Sequence, residues 1–208
     1  GNQVTVTGSG SKATAVSTSI TVGGTGGDNG LTVQGGATAG APNLVLGGAD
    51  NFMTVDGTTL AAGSTISVRG TNNTFTATNG ATVTGELFFA SGSGVSGNLL
   101  AIDGGSTLTA SGHARLGYNE ADGNTVLVTG AGSQLRTTSW DIGVGNEAGG
   151  GTTANNTTVT IADGGRISAG RTFFLGAGAA TGHLVTVTGA NSVLEARTTN
   201  GWEPSIVL

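Results

Sequence analysis

Eight times along the chain one short pattern returns: an apolar residue, a middle one that is most often Thr, then a second apolar one. It reads Val4-Thr5-Val6, Leu31-Thr32-Val33, Met53-Thr54-Val55, Phe75-Thr76-Ala77, Leu100-Ala101-Ile102, Val126-Leu127-Val128, Val159-Thr160-Ile161 and Val185-Thr186-Val187. The intervals are 27, 22, 22, 25, 26, 33 and 26 residues. Two positions ahead of each triplet sits Asn2, Asn29, Asn51, Asn73, Asn98, Asn124, Thr157 or His183. A Gly-rich corner follows each triplet, as in Asp103-Gly104-Gly105 and Thr129-Gly130. Gly, Asn and Asp are the residues that accept the positive φ of a sharp turn. Next comes a short segment with one apolar anchor, in six units Leu60, Val83, Leu108, Leu135, Ile167 and Leu194. A third apolar pair closes the unit: Ile20/Val22, Leu44/Leu46, Ile66/Val68, Leu87/Phe89, Ala114/Leu116, Trp140/Ile142, Phe173/Leu175 and Ile206/Leu208.

A unit of about 26 residues cannot bury its apolar side alone. Stacking such units makes the core continuous. The expected fold is all-β: a right-handed, single-stranded parallel β-helix, or β-solenoid, of about eight coils with three short strands each. It occupies residues 1–208 as a single domain. Alternation along each strand puts Val4 and Val6 inside, with Thr5 and Thr7 outside. Composition agrees, since 41 of 208 residues are Gly and 35 are Thr, both weak helix formers. The β-branched residues alternate with polar ones, and charged residues are only 9%, which argues against disorder. An antiparallel sandwich would not need one Asn per unit at a constant offset.

The Asn positions predict a ladder of stacked side chains: Asn2, Asn29, Asn51, Asn73, Asn98 and Asn124, with His183 and Thr157 as substitutes that still donate and accept. His183 is read as a ladder member, not a metal ligand, and His113 has no second His near it for zinc.

No stretch of roughly 18 apolar residues is present, so no transmembrane helix is expected and no membrane insertion by this segment. Seven Lys+Arg against twelve Asp+Glu leave a net charge of -5, which disfavours nucleic acid as a partner. Without Cys, disulfides and thiol chemistry are impossible.

The run Val126-Leu127-Val128-Thr129-Gly130-Ala131-Gly132-Ser133-Gln134-Leu135 and its echo Val185–Leu194 resemble the "VTGAGS-x-L" units of autotransporter passenger domains. Ile161-Ala162-Asp163-Gly164-Gly165-Arg166-Ile167-Ser168 and Ile102–Leu108 are similar to the "I-x-DGG-x-L" units that alternate with them. The likeness is clear from about residue 98 to 195 and fainter before. It implies a Gram-negative, exported, surface-located and mostly adhesive or structural protein. No signal peptide or translocator lies in these residues.

Several single motifs bear on particular chemistries. Asp56 and Asp103 share the outward position after the first strand, two coils or roughly 10 Å apart. That is slightly wide for an inverting carboxylate pair, and no basic residue stands in the column. A polysaccharide-active lyase or glycosidase is therefore the alternative reading, with ordinary turn chemistry favoured for both Asp. Gly23-Gly24-Thr25-Gly26-Gly27-Asp28 matches one calcium β-roll element, but no tandem copy follows. Gly92-Ser93-Gly94-Val95-Ser96-Gly97 leads into a strand, not a helix, and so is no nucleotide loop. The outward column Thr5, Thr32, Thr54, Thr76, Thr160 and Thr186 suggests a carbohydrate- or ice-binding lattice, but carboxylates interrupt its neighbour column. The longest insertion, Val144 to Asn156 with Gly149-Gly150-Gly151, is read as tolerated loop.

The repeat starts at Asn2 and ends at Leu208 with no amphipathic capping helix. Either the chain continues in a longer solenoid, or first and last coils pair between copies, head to tail, through Val4, Val6, Trp202, Ile206 and Leu208. The expectation is thus a non-enzymatic structural or adhesive element of a bacterial surface, needing no cofactor, with self-association or surface glycans as partners.

Overall fold

The computed structural model describes residues 1–145, 154–176, 180–197 and 203–208. Among these residues every regular element is a β-strand, and no helix is long and apolar enough to cross a membrane. The eight triplets lie on strands Gln3–Thr7, Gly30–Gln34, Phe52–Asp56, Thr74–Thr78, Leu99–Ile102, Thr125–Thr129, Thr158–Ala162 and Leu184–Thr188. These pair in chain order as one parallel eight-stranded sheet. Val4, Leu31, Met53, Phe75, Leu100, Val126, Val159 and Val185 stand in register. From first rung to last, the chain winds about seven turns of a β-solenoid.

A second parallel sheet carries the other two segments. Leu60, Val83, Leu108, Leu135, Ile167 and Leu194 stack in one column, continued towards the N-terminus by Ala39 and Ala13. Three strands per turn is too simple a description. Thr38–Leu46, Thr59–Val68 and Thr82–Ser91 each run through both segments as one strand. The register shifts between Ala41 and Asn43, and between Ala61 and Thr65. A bulge there bends the chain without taking it out of the ladder.

The third segment corrects one alignment. Ala114 pairs with Ile142, and Leu116 with Val144, so the sixth pair is Ile142/Val144 and not Trp140/Ile142. The connection from Leu135 is longer than the anchor spacing suggests. Trp140 therefore falls at the corner and is 43% exposed.

The buried apolar residues form one continuous cluster from Val22 to Phe173. In the middle rungs the inward positions are fully covered, as at Leu100, Ile102, Val126 and Val128. The first rung differs. Val4 is 57% exposed, because a parallel stack covers an inward side chain only when a rung lies on each side of it. Val4, Ile20, Val22 and Leu31 line an open concavity of about 420 Å³ at this end.

The corner ahead of each ladder position has its own backbone rule. Asp28, Asp50, Asn72 and Asn156 have φ of 59, 57, 54 and 52° there, and Gly97, Gly123 and Gly182 fill the same place at 66, 60 and 73°. Asp28 of the calcium-like motif is thus one of a column of left-handed corner residues, a conformation that Asp and Asn tolerate. One residue earlier, Gly27, Ala49, Thr71, Ser96, Asp122, Asn155 and Thr181 form a continuous run of isolated parallel bridges.

Candidate functional site

The Asn column is a ladder, with a different repeating bond from stacked amides. Each side-chain Oδ1 accepts the backbone N–H of the ladder residue one turn earlier. The distances are 3.0 Å for Asn2 N to Asn29, 2.8 Å for Asn29 N to Asn51 and 2.9 Å for Asn51 N to Asn73. They are 2.9 Å for Asn73 N to Asn98 and 3.0 Å for Asn98 N to Asn124. The Nδ2 groups donate mainly to corner carbonyls. Asn73 reaches Arg69 O at 2.7 Å and Gly48 O at 3.0 Å, and Asn98 reaches Gly70 O at 2.9 Å. Direct amide–amide bonds are fewer, for example Asn98 Nδ2 to Asn124 Oδ1 at 2.9 Å. Asn51, Asn73, Asn98 and Asn124 are all buried. Their polar groups must therefore be satisfied internally, which is why one residue type recurs at this offset.

The two substitutes behave differently. Thr157 is buried, yet its Oγ1 has no hydrogen-bond partner among the described residues. Its hydroxyl does not do what an amide does at this position. The side chain lies over Gly117, whose φ is +66° and where a Cβ would sit 2.1 Å from that Oγ1. His183 does continue the column: its Nδ1 accepts Thr157 N–H at 3.2 Å, and its Nε2 faces Ala154 O at 3.0 Å. Nδ1 can accept only when unprotonated, so the ring is neutral with its proton on Nε2.

Burial holds the His183 pKa below its ordinary value, although hydrogen bonds with Ala154 and Thr157 oppose the shift. The unfolded chain therefore takes up a proton before the folded one does. Stability is complete above the ordinary histidine pKa of ~6.5 and falls as pH drops from there towards the lower folded value. The melting temperature of the parent is expected to decline between about pH 7.5 and 5.5. His183→Asn, with the amide of the other rungs, should be flat over that interval. An equal decline in both proteins would remove His183 as the cause.

A second ladder, of hydroxyls, escaped the sequence reading. Ser106 Oγ accepts Ala81 N–H at 3.0 Å, Ser133 Oγ accepts Gly105 N–H at 3.0 Å, and Ser192 Oγ accepts Gly164 N–H at 3.1 Å. Ser at a constant place after the Gly corner was the available signal.

The densest group of charged and aromatic side chains lies on the outer side of the third segment. Asp141 is 3% exposed. Its Oδ1 accepts Arg171 Nε–H at 2.7 Å and Thr172 N–H at 3.0 Å, while Oδ2 accepts from Nη2 of the same guanidinium. His113 Nδ1 stands 3.8 Å from Oδ2. The His113 and Trp140 rings are 4.9 Å apart and tilted by 46°. One turn below His113, Glu86 pairs with Arg115 at 2.8 Å, and that guanidinium lies over the Phe88 and Tyr118 rings at 4.7 and 5.6 Å. Burial pushes the Asp141 carboxyl upward, but the bonds from Arg171 and Thr172, with the charges of Arg171 and His113, outweigh it and hold the pKa below the usual carboxylate value. His113 and Asp141 are 28 residues apart in sequence, and nothing local marks them as neighbours. The third-segment register is what brings them together.

The two carboxylates considered for catalysis lie elsewhere. Asp56 Oδ1 accepts Asn79 Nδ2–H at 2.7 Å, and Asp103 N–H donates to Ala77 O at 2.9 Å in the same corner column. Of the residues considered for end contacts, Val4, Ile206 (46%) and Leu208 (89%) are exposed at the two edges, joined by Leu184 and Val187, while Val6 is half-buried against the core. Trp202 and the Gly149-Gly150-Gly151 tip lie outside the described residues.

Comparison with known proteins finds no matching family model, no matching curated protein and no matching solved structure.

Proposed function

We propose that the chain is a stiff, non-enzymatic structural and adhesive rod of a Gram-negative cell surface, of the autotransporter passenger type, wound as a right-handed β-helix. The observation that carries this reading is the unbroken register of the eight triplets. A parallel ladder with a continuous core resists bending and needs no ligand to hold it. The repeat units Val126–Leu135 and Ile161–Ser168 supply the likeness to surface passengers. Right-handed winding follows from the strong preference of parallel crossovers for that hand.

The apolar edges at Val4 and at Leu184, Val187 and Ile206 support extension of the stack, by further coils of the same polypeptide or by a second copy end to end. In electron micrographs the 208-residue chain is expected to form thin rods that lengthen with concentration. Val4→Lys and Val187→Lys, one charge at each edge, should keep it monomeric. A parent chain that stays monomeric at millimolar concentration would refute end-to-end assembly. Hydrolysis or elimination of a polysaccharide by the parent chain would refute the non-enzymatic reading.

A further inference from the structure

We infer that the outer face of the third segment, from Glu86 to Phe174, binds a neutral polysaccharide chain. This names the partner of the adhesive reading above and rests on it. The sequence holds nine aromatic residues: six Phe, two Trp and one Tyr. Phe75, Phe89 and Phe173 are buried in the core. Phe88, Tyr118, Trp140 and Phe174 stand instead on or beside the outward positions of four successive turns of one face. On the first sheet the outward triplet positions from Thr5 to Thr186 carry no aromatic ring, and Phe52, at the start of its strand, is the one described ring on that outer face. Four of the nine rings thus share a single strip.

The polar groups between the rings suit the same ligand. Glu86 is matched by Arg115, and Asp141 by Arg171, so these four charges cancel in pairs and offer no unpaired cluster to a polyanion. The pairs still present planar carboxylate and guanidinium groups, whose positions are fixed by each other and by the rings beneath Arg115. A pyranose has the complementary chemistry. Its C–H face packs on an exposed ring such as Trp140, which Arg115 does not cover, and its hydroxyl edge exchanges hydrogen bonds with just such groups. Trp140 is the most exposed ring of the strip, at 43%. Four turns at ~4.8 Å spacing give a strip roughly 15 Å long, which fits several linked sugars better than one. The rigid ladder behind it lets the surface bind with little ordering cost.

The test is affinity electrophoresis of the 208-residue chain in native gels containing hydroxyethyl cellulose, laminarin or dextran as neutral polymers, or polygalacturonate as the anionic one. The expected result is retardation by at least one neutral polymer and little by polygalacturonate. Trp140→Ala should weaken that binding about tenfold, the loss of one stacked ring at ~1.4 kcal/mol. Trp140→Phe should retain most of it, and Thr76→Lys on the other sheet should change nothing. Trp140 is exposed, so these variants are expected to fold; an unchanged melting temperature checks that. Binding by the parent that Trp140→Ala leaves intact would overturn this site while sparing the adhesive reading. Retardation by polygalacturonate alone, or by no polymer, would overturn the neutral-sugar assignment. Rod formation in the microscope, scored separately, then decides the structural reading.

Discussion

Asn98→Ala should lower the unfolding free energy by about 3–5 kcal/mol, one of the largest losses available to a single truncation in this chain. The substitution removes the acceptor of Asn73 N–H and the donor to Gly70 O and Ser96 O, in a site that is 1% exposed. Water cannot replace these partners between two stacked turns, so the desolvation cost of the orphaned groups adds to the lost bonds. Asn98→Asp keeps the acceptor but loses the Nδ2 donor and buries a charge, so it should be at least as damaging. Asn2→Ala is the control. Its side chain makes one amide contact, at 3.3 Å on the exposed first rung, and the expected change is below about 0.5 kcal/mol. Chemical denaturation of the three variants measures the gradient. Similar losses at Asn2 and Asn98 would show that burial is not what gives the ladder its value.

Asp141→Ala should cost about 2–4 kcal/mol, because it strands Arg171 and Thr172 N–H at a corner built around the carboxylate. The cost stays below that of a fully buried pair, since the Arg171 side chain is 33% exposed and can rehydrate. The pH signature is specific. The folded pKa of Asp141 lies below its unfolded value, so its contribution is complete above the ordinary carboxylate pKa of ~3.9. It is lost as pH falls through the lower folded value. Asp141→Asn should therefore be less stable than the parent at neutral pH, and the gap should narrow as the solution is acidified below about pH 4. A gap independent of pH would mean that the ionised form of Asp141 contributes nothing.

The stacking register was legible in the residues alone. Repeating triplets at a fixed distance from Asn identify which positions face inward, because a rung shifted by one residue would turn its apolar side chains to water. The ladder positions from Asn2 to Asn124 were legible for a related reason: a buried corner demands an acceptor and a donor on one short side chain, and Asn supplies both. The left-handed residues ahead of them, Asp28, Asp50 and Asn72, carry a weaker signal, since Asp and Asn tolerate that conformation but do not require it. Where the repeat loosens, the residues no longer decide. Between Leu135 and Ile142 no periodic signal sets the strand start, and Trp140 was assigned inward by analogy with its neighbours.

Tertiary structure decided the rest. It merged the second and third segments into continuous strands in three turns, through bulges whose position depends on the partner strand. It also joined His113, Asp141 and Arg171, which lie on three successive turns. The hydrophobic pattern determines the face that each residue takes, because burial acts on every rung alike. Which side chains meet on the outer surface depends on the number of residues in each corner, and that spacing carries no hydrophobic signature.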